Sequence, residues 1–462
     1  MEAVDLIVGG GYVITVDGGR RMFRDGAIAV RDGRIVAVDQ TEAVTRRFKA
    51  RRNIDARNKV VLPGFIDGHM HLNEGPRGVV PDDIPALPWV REWTHPIFAA
   101  LDEKDESLLA KLAIAEALKT GTTTIVEGGT SWYTDAAVEA AVQIGARLYL
   151  GRRTWDIPQR IPKWRMTADQ ALRNYEDMIR HVHGAGDGRV RVQVHLVGQA
   201  TQTDELLMGA RALARQHNLC VSMHQSLVEE EIDEFKATHE GKRPLEHFAE
   251  IGALDDRLRL IHLIALSDHE LDIVRSTGVK PVHCISCALK VGYGATAIGK
   301  FPEMIREGIP VALGADGANC SNFLDMVRAM HLVATLYKDS RRDVTNVPAE
   351  SAIEMGTING AKSILAENEL GSLEPGKFAD MVLFDTSKIE WQPLTNVVYN
   401  LVYSATGSSV HTVLVGGKVV VENGRLTGID EEQLIAEARK KDWRTWLTEK
   451  TNLPYRQRWP EL

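Results

Sequence analysis

The stretch Val60-Val61-Leu62-Pro63-Gly64-Phe65-Ile66-Asp67-Gly68-His69-Met70-His71 decides how the rest of the chain is read. Its opening run, Val60–Ile66, has the length and apolar character of a strand buried on both faces, as in a parallel sheet. Two histidines follow at a spacing of two. On a strand, residues i and i+2 share a face; on a helix they diverge by about 200° and cannot readily grip one ion. With 15 histidines in 462 residues such a pair is expected by chance. The chain supplies its own decoy in His181-Val182-His183, at a helix end before Gly184, which is read as structural. His69 and His71 directly follow a buried-type strand and can point together into whatever lies at its end.

Working outward from that strand, the middle of the chain alternates. Further strands are predicted at Thr123–Glu127, Arg147–Gly151, Val190–Val197, Leu219–His224, Leu258–Leu263, Val279–Cys284 and Pro310–Gly314. Helical patterns lie between them: Glu106–Lys119, Ala168–His181 behind Thr167, Glu205–His217 behind Thr203-Asp204, His269–Ser276 between Ser267-Asp268 and Gly278, and Asn322–Tyr337. Eight apolar strands, most followed by helices, predict an α/β fold with a (β/α)8 TIM-type barrel. A doubly wound open sheet is the competitor, but no GxGxxG opens a helix after the first strand.

Both ends of the chain have another texture. Val4–Val8, Gly11–Thr15, Ala27–Arg31 and Arg34–Val38 read as short strands of an antiparallel module, and Ala379–Phe384, Val410–Val415 and Lys418–Glu422 repeat it late. A hairpin is predicted at Gly416-Gly417. The termini are therefore expected to meet in one small β-sandwich domain (1–59 and 372–430), with the catalytic barrel (60–371) inserted and a helical extension (431–462) at the end.

Composition narrows the class. Lys+Arg number 55 against 63 Asp+Glu, a net charge of -8, with no basic run; a nucleic-acid or anionic-membrane partner is not expected. Hydrophobic residues make up 44%, yet no window approaches about 18 uninterrupted apolar residues, so no transmembrane helix is expected. The N-terminal stretch lacks the basic start of a signal peptide, and four cysteines are too few for a disulfide framework. A cytoplasmic protein is expected. Cys284 and Cys287 form a CxxC with no second one to complete a zinc ribbon.

Barrel enzymes place their chemistry at the C-terminal ends of the strands. Besides His69 and His71, those ends carry His224, His262, His283 and Asp316. One histidine at a strand end is ordinarily structural; several with an aspartate converge on a divalent-metal site of imidazole and carboxylate ligands.

These residues, together with the PGFIDGHMH run at 63–71, HCISCALKVGYG at 283–294, LGADGANCSN at 313–322 and GSLEPGKFADMVLFD at 371–385, resemble the amidohydrolase superfamily of metal-dependent hydrolases. More narrowly they resemble the branch of cytosine, guanine, S-adenosylhomocysteine and triazine aminohydrolases. The resemblance implies that His69, His71, His224 and Asp316 bind one metal ion per subunit, with zinc foremost and iron, cobalt or manganese also accepted. It implies that His262 hydrogen-bonds the activated water or the substrate, and that the protein is a homo-oligomer. Two departures stand out. Deaminases of the branch carry a glutamate three residues after the fifth-strand histidine, where this chain has Leu227; Glu229, Glu230 and Glu231 follow and read as the start of a solvated helix unless a shifted loop turns one inward. The fourth strand has His195 without flanking prolines, readable as a substrate-side group or a core residue.

A missing ring-protonating glutamate disfavours deamination more than hydrolysis of a carbonyl compound. The expected reaction is therefore attack of a metal-activated water on a non-peptide C–N or C–S bond of a small neutral amide-like substrate: a urea, carbamate, thiocarbamate or anilide, as in phenylurea and molinate hydrolases. Asp316 would move the water proton, with His262 and His283 steadying the oxyanion. The alternative is an aminohydrolase of a cytosine-, guanine- or triazine-type heterocycle. Trp89, Trp93, Trp132 and Trp155, on predicted loops of the catalytic face, together with His195 and Leu227, are the candidate lining of an apolar substrate pocket. Arg77 is placed nearby, at the surface or on a carboxylate. A barrel that has lost its metal, or one that only binds a sugar or nucleotide, would lack these ligands or require a phosphate-cradling glycine loop.

Overall fold

The computed structural model describes residues 1–157, 161 and 164–461. Strands from both ends of the chain share one nine-stranded sheet, in which Lys59–Pro63 lies between Glu2–Ile14 and Met381–Asp385. Met381 pairs with Pro63 and Asp385 with Lys59, so the late strand returns antiparallel to the early one. The sheet is mixed rather than purely antiparallel: Glu2–Ile14 runs parallel to both Phe48–Asp55 and Lys59–Pro63. Val4–Val8 and Gly11–Thr15, read as separate strands, belong to one long strand with a bulge between Gly9 and Gly11, made possible by the positive φ of 83° at Gly10. The hairpin between Val410–Val415 and Lys418–Glu422 forms as expected, with φ positive at both Gly416 and Gly417.

The run Val60–Ile66 is not one strand. Lys59–Pro63 belongs to the terminal sheet, and the chain changes sheets at Gly64, whose N–H donates to Asp380 O while Phe65 N–H donates to Gly121 O. A side chain at Gly64 would fall 2.2 Å from Thr123 Cγ2, so only glycine permits the crossing there.

From Phe65–His71 to Asp316–Gly317 the strands are parallel and fall into two five-stranded sheets. One contains Phe65–His71, Thr122–Glu127, Arg147–Leu150 and Val190–Val192; the other contains Val194–Gly198, Val221–Gln225, Leu258–His262 and Lys280–His283. The expected strand Val190–Val197 is interrupted at Gln193, and its two halves serve different sheets. The last strand divides likewise: Ala312–Leu313 pairs with Lys280–His283, and Asp316–Gly317 pairs with Met70–His71. That second segment sets Asp316 beside the opening histidine pair.

Helices fill the expected connections, and the first starts three residues earlier than its apolar pattern indicated. Glu103–Lys119 starts in an Asp102/Asp105 capping box, Ala168–Val182 in a Thr167/Gln170 box, and Asp268–Thr277 in a Ser267/Glu270 box that closes on Gly278 with φ 75°. The final charged segment is two helices, Glu431–Arg439 and Trp443–Thr451, the second burying Trp446 and Leu447. The two parts of the fold are joined by a buried ion pair, Arg147 Nε to Asp380 Oδ2 at 2.6 Å. No helix of the described residues is long and apolar enough to cross a membrane.

Candidate metal centre and substrate cavity

The C-terminal ends of the parallel strands gather His69, His71, His224, His262 and Asp316. His69 and His71 share one face of their strand, and their Nε2 atoms stand 3.3 Å apart. Asp316 Oδ1 is 3.3 Å from His71 Nε2 and 3.8 Å from His69 Nε2, and its Oδ2 is 3.8 Å from His262 Nε2. Ligand atoms of His69, His71 and His224 all lie within 4.8 Å of one another. Both Asp316 and His262 hold left-handed backbone, with φ 67° and 78°, a conformation that costs non-glycine residues about 1–3 kcal/mol and recurs at functional sites.

The donor set fits a divalent ion. Burial and the neighbouring imidazoles hold His69 and His71 well below the ordinary histidine range, and burial takes His224 down to about 4. The rings are therefore neutral, the form that ligates. The two Nε2 atoms face each other at 3.3 Å, and in the tautomers that leave both lone pairs bare they converge on a point where a cation can sit. The same separation is the edge of a tetrahedron with metal–nitrogen bonds of about 2.0–2.1 Å. His224 Nδ1 meets Val197 O, which leaves Nε2 for the ion.

A competing thiol set adjoins this one: Cys287 and Cys320 group with Asp316, and Cys284 with His262 and Asp316. Burial raises all three thiols, Cys287 to about 12, so they would have to give up a proton to ligate, whereas the imidazoles are already in their ligating form. The decoy histidines are elsewhere, His181 on the surface beside Asp135 at 3.2 Å.

Gly128 closes the back of the cluster: a Cβ there would lie 2.5 Å from His69 Cε1 and 2.6 Å from His71 Cε1. Behind His69, Asp67 accepts from the N–H groups of His69 and Ala315, tying the first and last parallel strands together.

In front of the cluster opens a cavity of about 290 Å³, reached by His71, His224, His262 and Asp316. Of the expected lining, Trp89 and Leu227 face it. Trp93 is buried under Arg456, and Trp132 and Trp155 belong to an aromatic cluster with Trp164 and Phe98, of which Phe98 alone lines the cavity. His195 is fully buried, bonded through Nδ1 to Ser222 Oγ at 3.0 Å, with its ring 5.4 Å from that of His224; it backs the ligands and does not line the cavity. His283 is a correction: its ring stacks on Phe301 at 3.7 Å and its Nε2 meets Tyr337 Oη at 3.0 Å, on the side of the strand away from the cavity. Arg77 is half-exposed and paired with Glu116.

The reading of Glu231 as part of a solvated helix start is also corrected. Glu229 and Glu230 are exposed, but Glu231 turns into the cavity, accepts from Leu227 N–H at 3.0 Å, and is raised by burial to about 7. Glu74 and Arg153 are among the cavity residues without a signal in the sequence. Glu74 accepts from Asn319 and Cys320 N–H and is raised by burial and by the Asp316 carboxylate. Arg153 follows the third parallel strand.

Neutral imidazoles and one carboxylate at parallel strand ends, open to a cavity, define a metal-dependent hydrolase. Residues 60–420 match the family model described as "Amidohydrolase family", and the chain belongs to that family. It is an enzyme acting on carbon–nitrogen bonds other than peptide bonds. It is 32% identical, over 96% of its length and 98% of the relative's, to a 5-methylthioadenosine/S-adenosylhomocysteine deaminase of Nitratidesulfovibrio vulgaris. Its structure is similar to that of an adenosine deaminase from Xanthomonas campestris with bound zinc (TM-score 0.89, 29% identity, 98% and 100% of the two chains covered). It also shares the fold of an atrazine chlorohydrolase from Arthrobacter aurescens complexed with zinc (TM-score 0.85, 22% identity, 94% and 99% covered).

Proposed function

We propose that this enzyme hydrolytically deaminates an amino-substituted heterocycle, releasing ammonia and leaving an oxo group. The observation that carries the reading is Glu231, a buried carboxyl raised to about 7 on the cavity wall beside Leu227. It supplies the protonatable group whose absence at Leu227 favoured urea or thiocarbamate cleavage. The deaminase names of the relatives support this reading over that one.

His69, His71, His224 and Asp316 would hold the ion, with zinc proposed. Once bound, it supplies Lewis acidity and lowers the pKa of a water toward about 7. Asp316 presents Oδ1 to the two histidines and keeps Oδ2 on the His262 side, where it takes the proton of the attacking water and returns it to the leaving amine. His262 Nε2 lies across from that oxygen and orients the anionic oxygen that develops. Glu231 donates its proton to a ring nitrogen. The cavity volume suits a compact ring with short substituents.

We also propose that the two parallel sheets form one closed (β/α)8 barrel, supported by the hand-over of strand halves at Gln193 and at Gly314-Ala315. The terminal sheet would fold into the sandwich domain, with the division falling near Gly64 and near residue 372. Ammonia release by zinc-replete enzyme tests the chemistry, on cytosine, guanine, melamine and methylthioadenosine beside an N,N-dialkyl phenylurea and a thiocarbamate. Turnover of at least one aminoheterocycle is expected; turnover confined to the urea or thiocarbamate overturns the proposal.

A further inference from the structure

Arg153 is a buried guanidinium that grips no acceptor among the described residues. The residue is 3% exposed, its Nε has no partner, and among the described residues it makes no hydrogen bond or ion pair. It packs against aromatic faces instead, 4.4 Å from the Phe98 ring centroid, 4.9 Å from Trp164 and 5.8 Å from Trp155. Burial draws it down to about 10, so it remains a cation at neutral pH.

The carboxylates that attract it are committed elsewhere. Glu127 accepts from Gly129 N–H, Thr130 N–H and Thr130 Oγ1; Glu106 accepts from Asn73 Nδ2 and the N–H groups of Trp132 and Tyr133; Glu74 accepts from Asn319 and Cys320. Arg91, the other arginine on the wall, is by contrast held in a two-point pair with Glu234 at 2.5 and 2.8 Å. A buried guanidinium whose N–H groups meet no acceptor is costly, and this one lines the cavity that His71, His224 and Asp316 reach.

We propose that Arg153 is the carboxylate-binding residue of the cavity, so that the substrate is a monoanion whose carboxylate fills the planar fork of the guanidinium. This deepens the deaminase reading by naming the substrate class, an aminoheterocycle carrying one carboxylate, in place of the neutral ligand suggested by the tryptophans. A planar, singly charged acceptor matches the fork two-point. A dianion such as a phosphate ester is disfavoured, because one cation faces it and Glu74 and Glu231 share the wall.

The test is independent of turnover. Zinc-replete protein is titrated with benzoate, benzamide and benzyl alcohol by calorimetry, in the wild type, Arg153→Met and Arg153→Lys, with zinc content measured for each. Benzoate is expected to bind about ten-fold or more tighter than the two neutral probes. Arg153→Met should abolish that preference at unchanged zinc content, and Arg153→Lys should keep part of it. A benzoate preference that persists in Arg153→Met places the anion on the ion and overturns the proposal; so does the absence of any preference in the wild type. Should Arg153→Met fail to fold, the wild-type comparison and Arg153→Lys decide. Failure of deamination appears in the ammonia assay alone and leaves this result standing.

Discussion

The cavity has two walls of different origin. One consists of strand ends: His69, His71, His224, His262 and Asp316 sit on, or one residue from, hydrogen-bonded parallel strands, and pairings such as Asp316 with Met70 set their separations. The other consists of connections: Trp89, Arg91, Arg153, Leu227 and Glu231 come from segments that the sheets do not hold in register. The strand-end wall is rigid and chemically uniform, suited to holding an ion. The connection wall carries mixed charges, a perturbed acid and a cation unpaired among the described residues, suited to choosing and protonating a substrate. On the proposed reading, the scaffold separates the site that would activate water from the site that would recognise what is attacked.

Changes to the two walls should separate accordingly. Asp316→Asn and His69→Ala should lose both the ion and activity, with a fall of about 10⁴-fold or more, read by metal analysis beside steady-state rates; retention of stoichiometric metal in either variant would break the division.

Glu231→Gln should keep the metal and lose about 10²–10⁴-fold in kcat. Burial raises this carboxyl to about 7, so its acid form predominates below that pH and disappears above it. The wild-type kcat should therefore decline as pH rises through about 7, and the glutamine variant, unable to titrate, should lose that limb. An unchanged profile would remove Glu231 from the mechanism.

Gly128→Ala sharpens the comparison from the other side, because its methyl would drive into the His69 and His71 rings. Metal affinity should weaken by about 10–100-fold, measured by chelator competition, while binding of benzamide is unaffected. The smallest effect is expected at His283→Gln. That ring contacts Phe301 and Tyr337 rather than the cavity, so kcat should stay within about three-fold and the loss should appear as about 1 kcal/mol of stability in urea unfolding. A larger fall in kcat would restore His283 to the oxyanion role expected from its strand-end position.

That contrast marks how far the sequence could be read. His69, His71, His224, His262 and Asp316 were legible because strand periodicity and parallel-strand logic place a residue at an end and on a face without further knowledge. The same logic admitted His283, since a strand end alone does not say which side a ring takes when Phe301 and Tyr337 offer it a stacking surface. The tryptophans were read as one lining, yet only Trp89 reaches the cavity; tryptophan packs into aromatic clusters as readily as into pockets. Glu231 looked solvated because Glu229 and Glu230 beside it are, and one helical turn is enough to carry the third carboxyl inward.

By itself, the sequence determined the alternation of strands and helices, the pairing of the chain's two ends, and the ion-binding residue types at the strand ends, because each follows from local periodicity and short-range chemistry. Only the tertiary structure decided that Gly64 is where the chain changes sheets, that Glu231 turns into the cavity beside Leu227, and that Arg153 meets no hydrogen-bond acceptor among the described residues. Burial and partnership are properties of what packs around a side chain, and that is settled by residues far away in the sequence.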